Sequence, residues 1–316
     1  MRFSFTQDQR LLAEAVREVL EKTCPPEAVR SGPRPGPGWK ALAEVGLLGA
    51  HVAEEHGGLG LTPLDTVLAF EETGRFAVPG PLAETVAVAP LVVPAGRHAE
   101  IAAGALTVTA RSAGSPYLPD ADLADLIAAG TLVAPHGEVA LTRVRSVDAT
   151  RPLFTDDLNA DDSPAFDHAA LATAAQLVGA GRRLLEEAVG YAQQRRQFGQ
   201  VIGSFQAVKH KLADVAIALE FAAPLVYGAA YALAHDEPDA SRDVSAAKLA
   251  ANRAAHQAAR AALQVHGAIG YTDELNLQIW LNRVWALRPA WGDDGVHRAR
   301  LRAALLDEAR PEGARR

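Results

Sequence analysis

From Ser163 to about residue 309 the chain reads as helix almost without a break, and alanine carries the pattern. Ala246, Ala247, Ala250, Ala251, Ala254, Ala255, Ala258 and Ala259 form four pairs spaced four residues apart, and Ala262 continues the series. Alanine is the strongest helix former, and its small side chain lets neighbouring helices approach closely. The pattern predicts helices over 165–194, 205–235, 239–265, 273–289 and 293–309. Ser163-Pro164 suits the start of the first, with serine as cap and proline at the first helical position. A helical bundle over 161–316 follows, with a short low-complexity tail from Pro311.

The first 76 residues also read as helical. Thr6-Gln7-Asp8-Gln9 has the form of a capping box. Leu11, Leu12, Ala15, Val16, Val19 and Leu20 then recur at helical spacing until Pro25-Pro26 stops them. Residues 31–38 hold three prolines and three glycines and read as a loop. The runs 39–48 and 62–75 read as helices around a turn at 55–60. From 77 to about 160 the texture changes. The runs 106–109, 131–134, 139–142 and 144–147 look like short strands between Gly, Pro and Asp turns. The expected fold class is mainly α: a helical N-terminal domain (1–76), a reduced β middle domain (77–160) and the helical bundle.

A net charge of −7 argues against a nucleic-acid partner, which demands a basic face. Cys24 is the single cysteine, so no internal disulfide is expected, as suits a reducing cytosol. The N-terminus shows no signal-peptide core. The longest uncharged run, 221–234, contains Pro224 and falls short of the roughly 20 residues that span a bilayer. A cytoplasmic protein with no membrane partner is the expectation. The ten histidines show no metal-ligand spacing, and no Ser-His-Asp elbow or P-loop appears.

Two stretches offer chemistry. In Arg195-Arg196-Gln197-Phe198-Gly199, ending at Ser204-Phe205-Gln206, a loop folds two helix ends together. A guanidinium there can fork onto a pyrophosphate, a Gln amide can add a neutral hydrogen bond, and Phe198 can lie against an adenine or flavin edge. Equally, Arg195 and Arg196 suit a helix C-terminus for its dipole alone. In Gln264-Val265-His266-Gly267-Ala268-Ile269-Gly270-Tyr271, Gly267 and Gly270 permit left-handed backbone and close ligand approach. They also serve as an ordinary helix stop. His266 can polarise a thioester or simply pack. Lys209 and His210 suit a solvated or partner-facing helix surface.

Together with Glu54-Glu55-His56-Gly57-Gly58-Leu59-Gly60 and Asp148-Ala149-Thr150-Arg151, these stretches resemble the acyl-CoA dehydrogenase family over nearly the whole chain. The resemblance implies a helical N-domain, a β-barrel middle domain and an antiparallel four-helix C-terminal bundle. It implies FAD as cofactor, an acyl-CoA substrate oxidised at its α,β bond, and electron-transferring flavoprotein as acceptor. It also implies that Arg195, Phe198, Gln206, Gln264, Gly267 and Ala268 touch FAD held mainly by a neighbouring subunit. Ala268 departs from the family's second glycine.

The same resemblance leaves the proton acceptor missing. Trp291 and Ala169 stand at the two positions where the family carries its catalytic glutamate. Asp293 stands where a threonine usually faces the cofactor. Asp167, two residues from Ala169, points roughly 200° away on a helix. The family's Thr-Glu-Pro-x-x-Gly-Ser-Asp segment has no evident counterpart between 77 and 157. The α-proton must be taken by a group that ionises near neutral pH. The expected role is therefore the non-base subunit of a heteromeric, α2β2 acyl-CoA dehydrogenase of the kind that acts on steroid-side-chain CoA thioesters. Its homologous partner would supply the glutamate. Two alternatives are a self-sufficient homo-oligomer using Asp293 or Asp294, and a non-flavin scaffold.

Overall fold

The computed structural model describes residues 4–308 except 33, 113 and 273. The first three residues, the expected helix ends at 273 and 309, and the tail from Pro311 lie outside the described residues.

Helix α1 (Gln7–Thr23) opens with the expected capping box: Gln9 N donates to Thr6 Oγ1 at 3.2 Å and Thr6 N to Gln9 Oε1 at 2.9 Å. The prolines that read as breakers also start helices. Pro26 begins α2 (Pro26–Ser31) and Pro37 begins α3 (Pro37–Glu44), because a first-turn residue needs no N–H partner. Helix α4 (Pro63–Arg75) carries a second capping box, Thr62 with Asp65.

The stretch after 77 departs from the strand-like reading. A π-helical turn (Glu84–Val88), α5 (Ala89–Val92) and α6 (His98–Ala102) precede any strand. The β part is two three-stranded sheets. In the first, β1 (Val108–Arg111) pairs in parallel with β3 (Leu126–Ala129), which pairs antiparallel with β4 (Leu132–Pro135). In the second, β2 (Leu118–Pro119) and β5 (Thr142–Val144) flank β6 (Leu153–Thr155). Strands β2, β3 and β6 were not anticipated, and the expected runs 139–142 and 144–147 give one strand, β5. All of β3 is buried, so it lacks the alternation that marks a half-exposed strand.

The bundle follows the alanine pattern closely: α7 (Phe166–Gln194), α8 (Gln206–Ala234), α9 (Ala240–His266), α10 (Leu277–Leu287) and α11 (Asp294–Glu308). Helix α7 begins just after Ser163-Pro164, whose serine Oγ accepts from Ala165 N in the turn before it. Ala169, Ala174, Ala180, Ala251, Ala255 and Ala259 are fully buried where α7 and α9 pack together. Helix α4 crosses α7 at Gly74 and Gly179. A Cβ at Gly179 would sit 1.8 Å from Glu71 O, and one at Gly74 would sit 2.0 Å from Gln176 O. By length and composition α8 could also cross a membrane, but it packs here against α9, α7 and α4. It leaves Ile217, Phe221 and Leu225 exposed in a row.

Arg283 of α10 ties the three regions together. Its guanidinium is buried and donates to Asp148 Oδ2 (2.6 Å), Thr150 Oγ1 (2.9 Å) and Val78 O (2.7 Å). This staple fixes the β sheets and the 77–102 segment against the bundle. A cleft lies along the seam.

Candidate functional site

The two sequence stretches meet at one end of the bundle. Tyr191, near the end of α7, stacks on His266, at the end of α9, with ring centroids 4.3 Å apart. His266 is buried and its Nδ1–H donates to Ala262 O at 2.7 Å, so it is a packing residue. The expected loop after Arg195 is a small hairpin of β7 (Arg196–Gln197) and β8 (Gln200–Val201). Phe198 and Gly199 at its tip have φ of 51° and 80°, the signs of a type I′ turn. A bulky residue at positive φ is strained, and such strain gathers at functional positions. Phe198 is also 90% exposed, with only an edge contact to Phe205.

Arg195, Gln206, Gln264, Gly267 and Ala268 are exposed too. Gly267 has φ of 66° and open space where a Cβ would project. Gln264, Gly267 and Ala268 form one end of a trough of about 1510 Å³ between α8, α9 and α10. Five cations line it against two carboxylates, although the whole chain is acidic. An anionic dinucleotide reaching in from outside fits this set: open backbone, amides, an aromatic ring and surplus positive charge.

The opposite seam, between the β sheets and α10–α11, holds a cleft of about 600 Å³. Ser112, Gly114, Ser115 and Tyr117 line one wall, and Pro289, Gly292 and Asp293 the other. Its charge is reversed: Asp162, Asp167 and Asp293 face a single Arg300. Arg300 is itself paired with Asp167 at 2.7 Å. Phosphates would be repelled there. Thr109, Gly114 and Ser115 share the spacing of the Thr, Gly and Ser in the Thr-Glu-Pro-x-x-Gly-Ser-Asp pattern, with Ala110, Arg111 and Pro116 in place of its Glu, Pro and Asp.

Behind the cleft lies a cavity of only about 70 Å³. Trp291 is part of its lining. The side chain is 5% exposed, packs edge-on against Phe166, and donates from Nε1 to Glu84 Oε1 at 3.1 Å. Arg151 Nη2 donates to the same oxygen at 3.2 Å. Glu84 was not singled out from sequence, because a lone Glu among prolines carries no motif. The turn holding Trp291 (φ 54°) and Gly292 (φ 96°) is clamped from beneath. His297 Nε2 donates to Trp291 O at 3.0 Å, and the fully buried Lys248 Nζ donates to Arg288 O at 2.9 Å and to Asn252 Oδ1 at 3.0 Å. Burial pushes the Lys248 ammonium down to about 7 and the His297 imidazolium to about 4.

The carboxylates considered as substitute bases are otherwise engaged. Asp294 faces the basic trough, not the cleft. It accepts from Asn252 Nδ2 at 2.8 Å and pairs with Arg288 and Arg298 at 3.6 and 3.7 Å. Asp293 does line the cleft, but its Oδ1 caps α11 by accepting from Val296 N at 2.9 Å. Ala169 is fully buried in α7. Asp167 is held by Ser241 Oγ and Arg300. Cys24 is buried, and burial raises its thiol pKa, which suits packing rather than nucleophilic chemistry.

The family models for the acyl-CoA dehydrogenase N-terminal and C-terminal domains match residues 6–100 and 162–306. The chain is 32% identical over 296 residues to the acyl-CoA dehydrogenase IpdE2 of Mycobacterium tuberculosis, covering 88% of this chain and 91% of that one. Among solved structures it superposes on butyryl-CoA dehydrogenase from Megasphaera elsdenii with a TM-score of 0.83 at 21% identity, covering 97% and 100% of the two chains. It matches the ChsE4-ChsE5 complex from Mycobacterium tuberculosis with a TM-score of 0.81 at 21% identity, covering 98% and 100%. The chain therefore belongs to the acyl-CoA dehydrogenase family.

Proposed function

We propose that this chain is the subunit of a heteromeric acyl-CoA dehydrogenase that lends half a flavin site to a homologous, base-bearing partner. Acyl-CoA dehydrogenases are FAD-dependent, and bound FAD supplies the hydride acceptor for α,β-desaturation. The proton acceptor must come from protein. One observation supports the reading: Trp291, which we place at the family's base position, is a buried, hydrogen-bonded indole that cannot accept a proton. The acidic cleft beside it opposes a pyrophosphate, whereas the exposed end of the basic trough suits one. Arg195, Phe198, Gln206, Gln264 and the Gly267–Ala268 backbone would grip the partner's FAD. On this reading the partner, which bears the base, would also hold the acyl group. A bulky, steroid-side-chain CoA thioester is the substrate class we favour, with electron-transferring flavoprotein as acceptor. The two-chain ChsE4-ChsE5 neighbour supports an α2β2 arrangement by analogy of fold.

The test is a flavin count. The chain purified alone is expected to be colourless and inactive. Co-expressed with the homologous dehydrogenase it should give one FAD per pair of unlike subunits. A yellow, active chain on its own would instead favour the self-sufficient reading with Asp293 as base.

A further inference from the structure

The segment 287–294 separates three spaces. Arg288 and Asp294 face the basic trough, Gly292 and Asp293 face the acidic cleft, and Trp291 lines the small cavity behind it. One buried ammonium holds the segment together. Lys248 Nζ donates towards Arg288 O (2.9 Å), Leu287 O (3.3 Å), Gly292 O (3.4 Å) and Asn252 Oδ1 (3.0 Å), so its three N–H groups serve several acceptors at once. Lys248 and Asn252 are both fully buried. The other end of the Asn252 amide reaches the trough: Nδ2 donates to Asp294 Oδ1 at 2.8 Å. Asp294 Oδ2 is shared by Arg288 and Arg298 at 3.6 and 3.7 Å. These pairs are loose and partly exposed, so an anion in the trough competes with Asp294 for both guanidinium groups.

We infer that Lys248 is a positioning residue that couples the trough to the turn at Trp291 through Asn252 and Asp294. On the complementary-subunit reading, on which this inference rests for its ligand, the anion is the pyrophosphate of the partner's FAD. An arriving phosphate draws Arg288 and Arg298 away from Asp294. The Asp294 charge is then left to the Asn252 amide, which passes its polarisation on to Lys248. Both negative charges favour the ammonium over the neutral amine, and the grip on the carbonyls of Arg288 and Gly292 tightens. The charged groups facing Lys248 are named easily. Asp294 and Asp293 favour its ammonium, and Arg288 opposes it. His297, from α11, lies close by with its imidazolium held down at about 4, and its ring nitrogens are engaged by Ser245 Oγ and Trp291 O. Burial brings the Lys248 ammonium down to about 7, so the coupling changes strength in the neutral range. Above that pH the amine keeps two N–H groups where the ammonium has three, and the hold on the turn loosens.

The test reads both sides of the segment at once. Trp285 lines the trough, and Trp291 lines the cavity behind the cleft. The full chain is labelled with 5-fluorotryptophan, and the resonances are assigned with single Trp→Phe variants. Fluorine NMR then follows a titration with inorganic pyrophosphate. At about pH 6, with Lys248 charged, Trp285 and Trp291 are expected to shift along one saturation curve. At about pH 9, with Lys248 neutral, Trp285 alone should shift. Asp294 is partly exposed, so Asp294→Asn should fold as wild type does. It has no carboxylate for the anion to displace, so it should bind pyrophosphate about threefold more tightly and leave Trp291 unmoved. Lys248→Met should likewise keep the Trp285 shift and lose that of Trp291. A Trp291 shift that survives in Asp294→Asn, or at the higher pH, overturns the coupling. So does a Trp285 shift with no Trp291 response at the lower pH. A Trp285 resonance that never moves shows that the trough takes no anion, and overturns it too. The flavin count on the isolated chain separates the two ideas. A yellow, active chain removes the complementary-subunit reading and leaves the coupling, whose atoms all belong to this chain.

Discussion

Trp291 Nε1 and Glu84 Oε1 are joined by a 3.1 Å hydrogen bond across the seam between the bundle and the 77–102 segment. Arg151 completes the trio by donating to the same oxygen. A lone carboxylate is costly to bury. Here a guanidinium neutralises it, and it satisfies an indole N–H that would otherwise be orphaned. Glu84→Leu should therefore destabilise the chain by about 3–5 kcal/mol, because it orphans the indole N–H and leaves Arg151 to the more distant Asp120 at 3.8 Å. Trp291→Phe keeps the ring packing and should cost about 1–3 kcal/mol. Urea unfolding measures both, and a neutral Glu84→Leu would show that the trio does not hold the turn.

Stability should depend on pH through the clamp under Trp291. The His297 imidazolium is held at about 4, below the roughly 6.5 of an unfolded histidine. Between those values the unfolded chain binds the extra proton, so stability is lost as pH falls from about 6.5 towards 4. His51, also pushed down to about 4 by burial, adds to the same limb. Lys248 is held at about 7, below its unfolded value of about 10.4. Stability should consequently rise as pH goes from 7 towards 10. Unfolding free energies across pH 4–10 should show the acid limb shallower in His297→Gln. The alkaline limb should be flat in Lys248→Met.

The contact between α4 and α7 requires glycine at two positions. A Cβ at Gly179 would meet the Glu71 carbonyl oxygen, which is backbone and cannot swing aside. Gly179→Ala should force the helices apart and cost about 1–3 kcal/mol or more, although alanine is the better helix former. Denaturant midpoints would show this. A stabilised Gly179→Ala would mean that the crossing yields easily.

The bundle was legible because alanine periodicity and caps are local signals. Each of its helices lies within a few residues of the expected bounds. The 84–102 turns were not, because the region read as strands between Gly, Pro and Asp turns, whereas Pro81 and Pro90 stand at or near helical starts. Strand β3 was missed because it is buried on both faces and parallel to β1. At the candidate site, the sequence reading proposes that Trp291 and Ala169 replace the family's base. It could not show what Trp291 touches. The Glu84 partnership joins residues 207 positions apart, and no short motif encodes it.

Arg195 and Phe198 separate function from stability. Neither is buried, and Phe198 sits at positive φ with its ring projecting into solvent. Among the described residues neither side chain makes a hydrogen bond or ion pair, and Phe198 adds one exposed edge contact to Phe205, so Arg195→Ala and Phe198→Ala should each leave the unfolding free energy within about 0.5 kcal/mol of wild type. In the assembled complex they should act differently. Loss of a guanidinium from a pyrophosphate removes a charge-assisted pair worth about 1.5–3 kcal/mol, which is roughly a tenfold or greater loss of FAD affinity. Flavin absorbance of the purified complex, measured beside the melting curve of the isolated chain, reads both quantities. Full FAD content in the Arg195→Ala complex would favour the scaffold reading, because it would show that this hairpin reaches no cofactor.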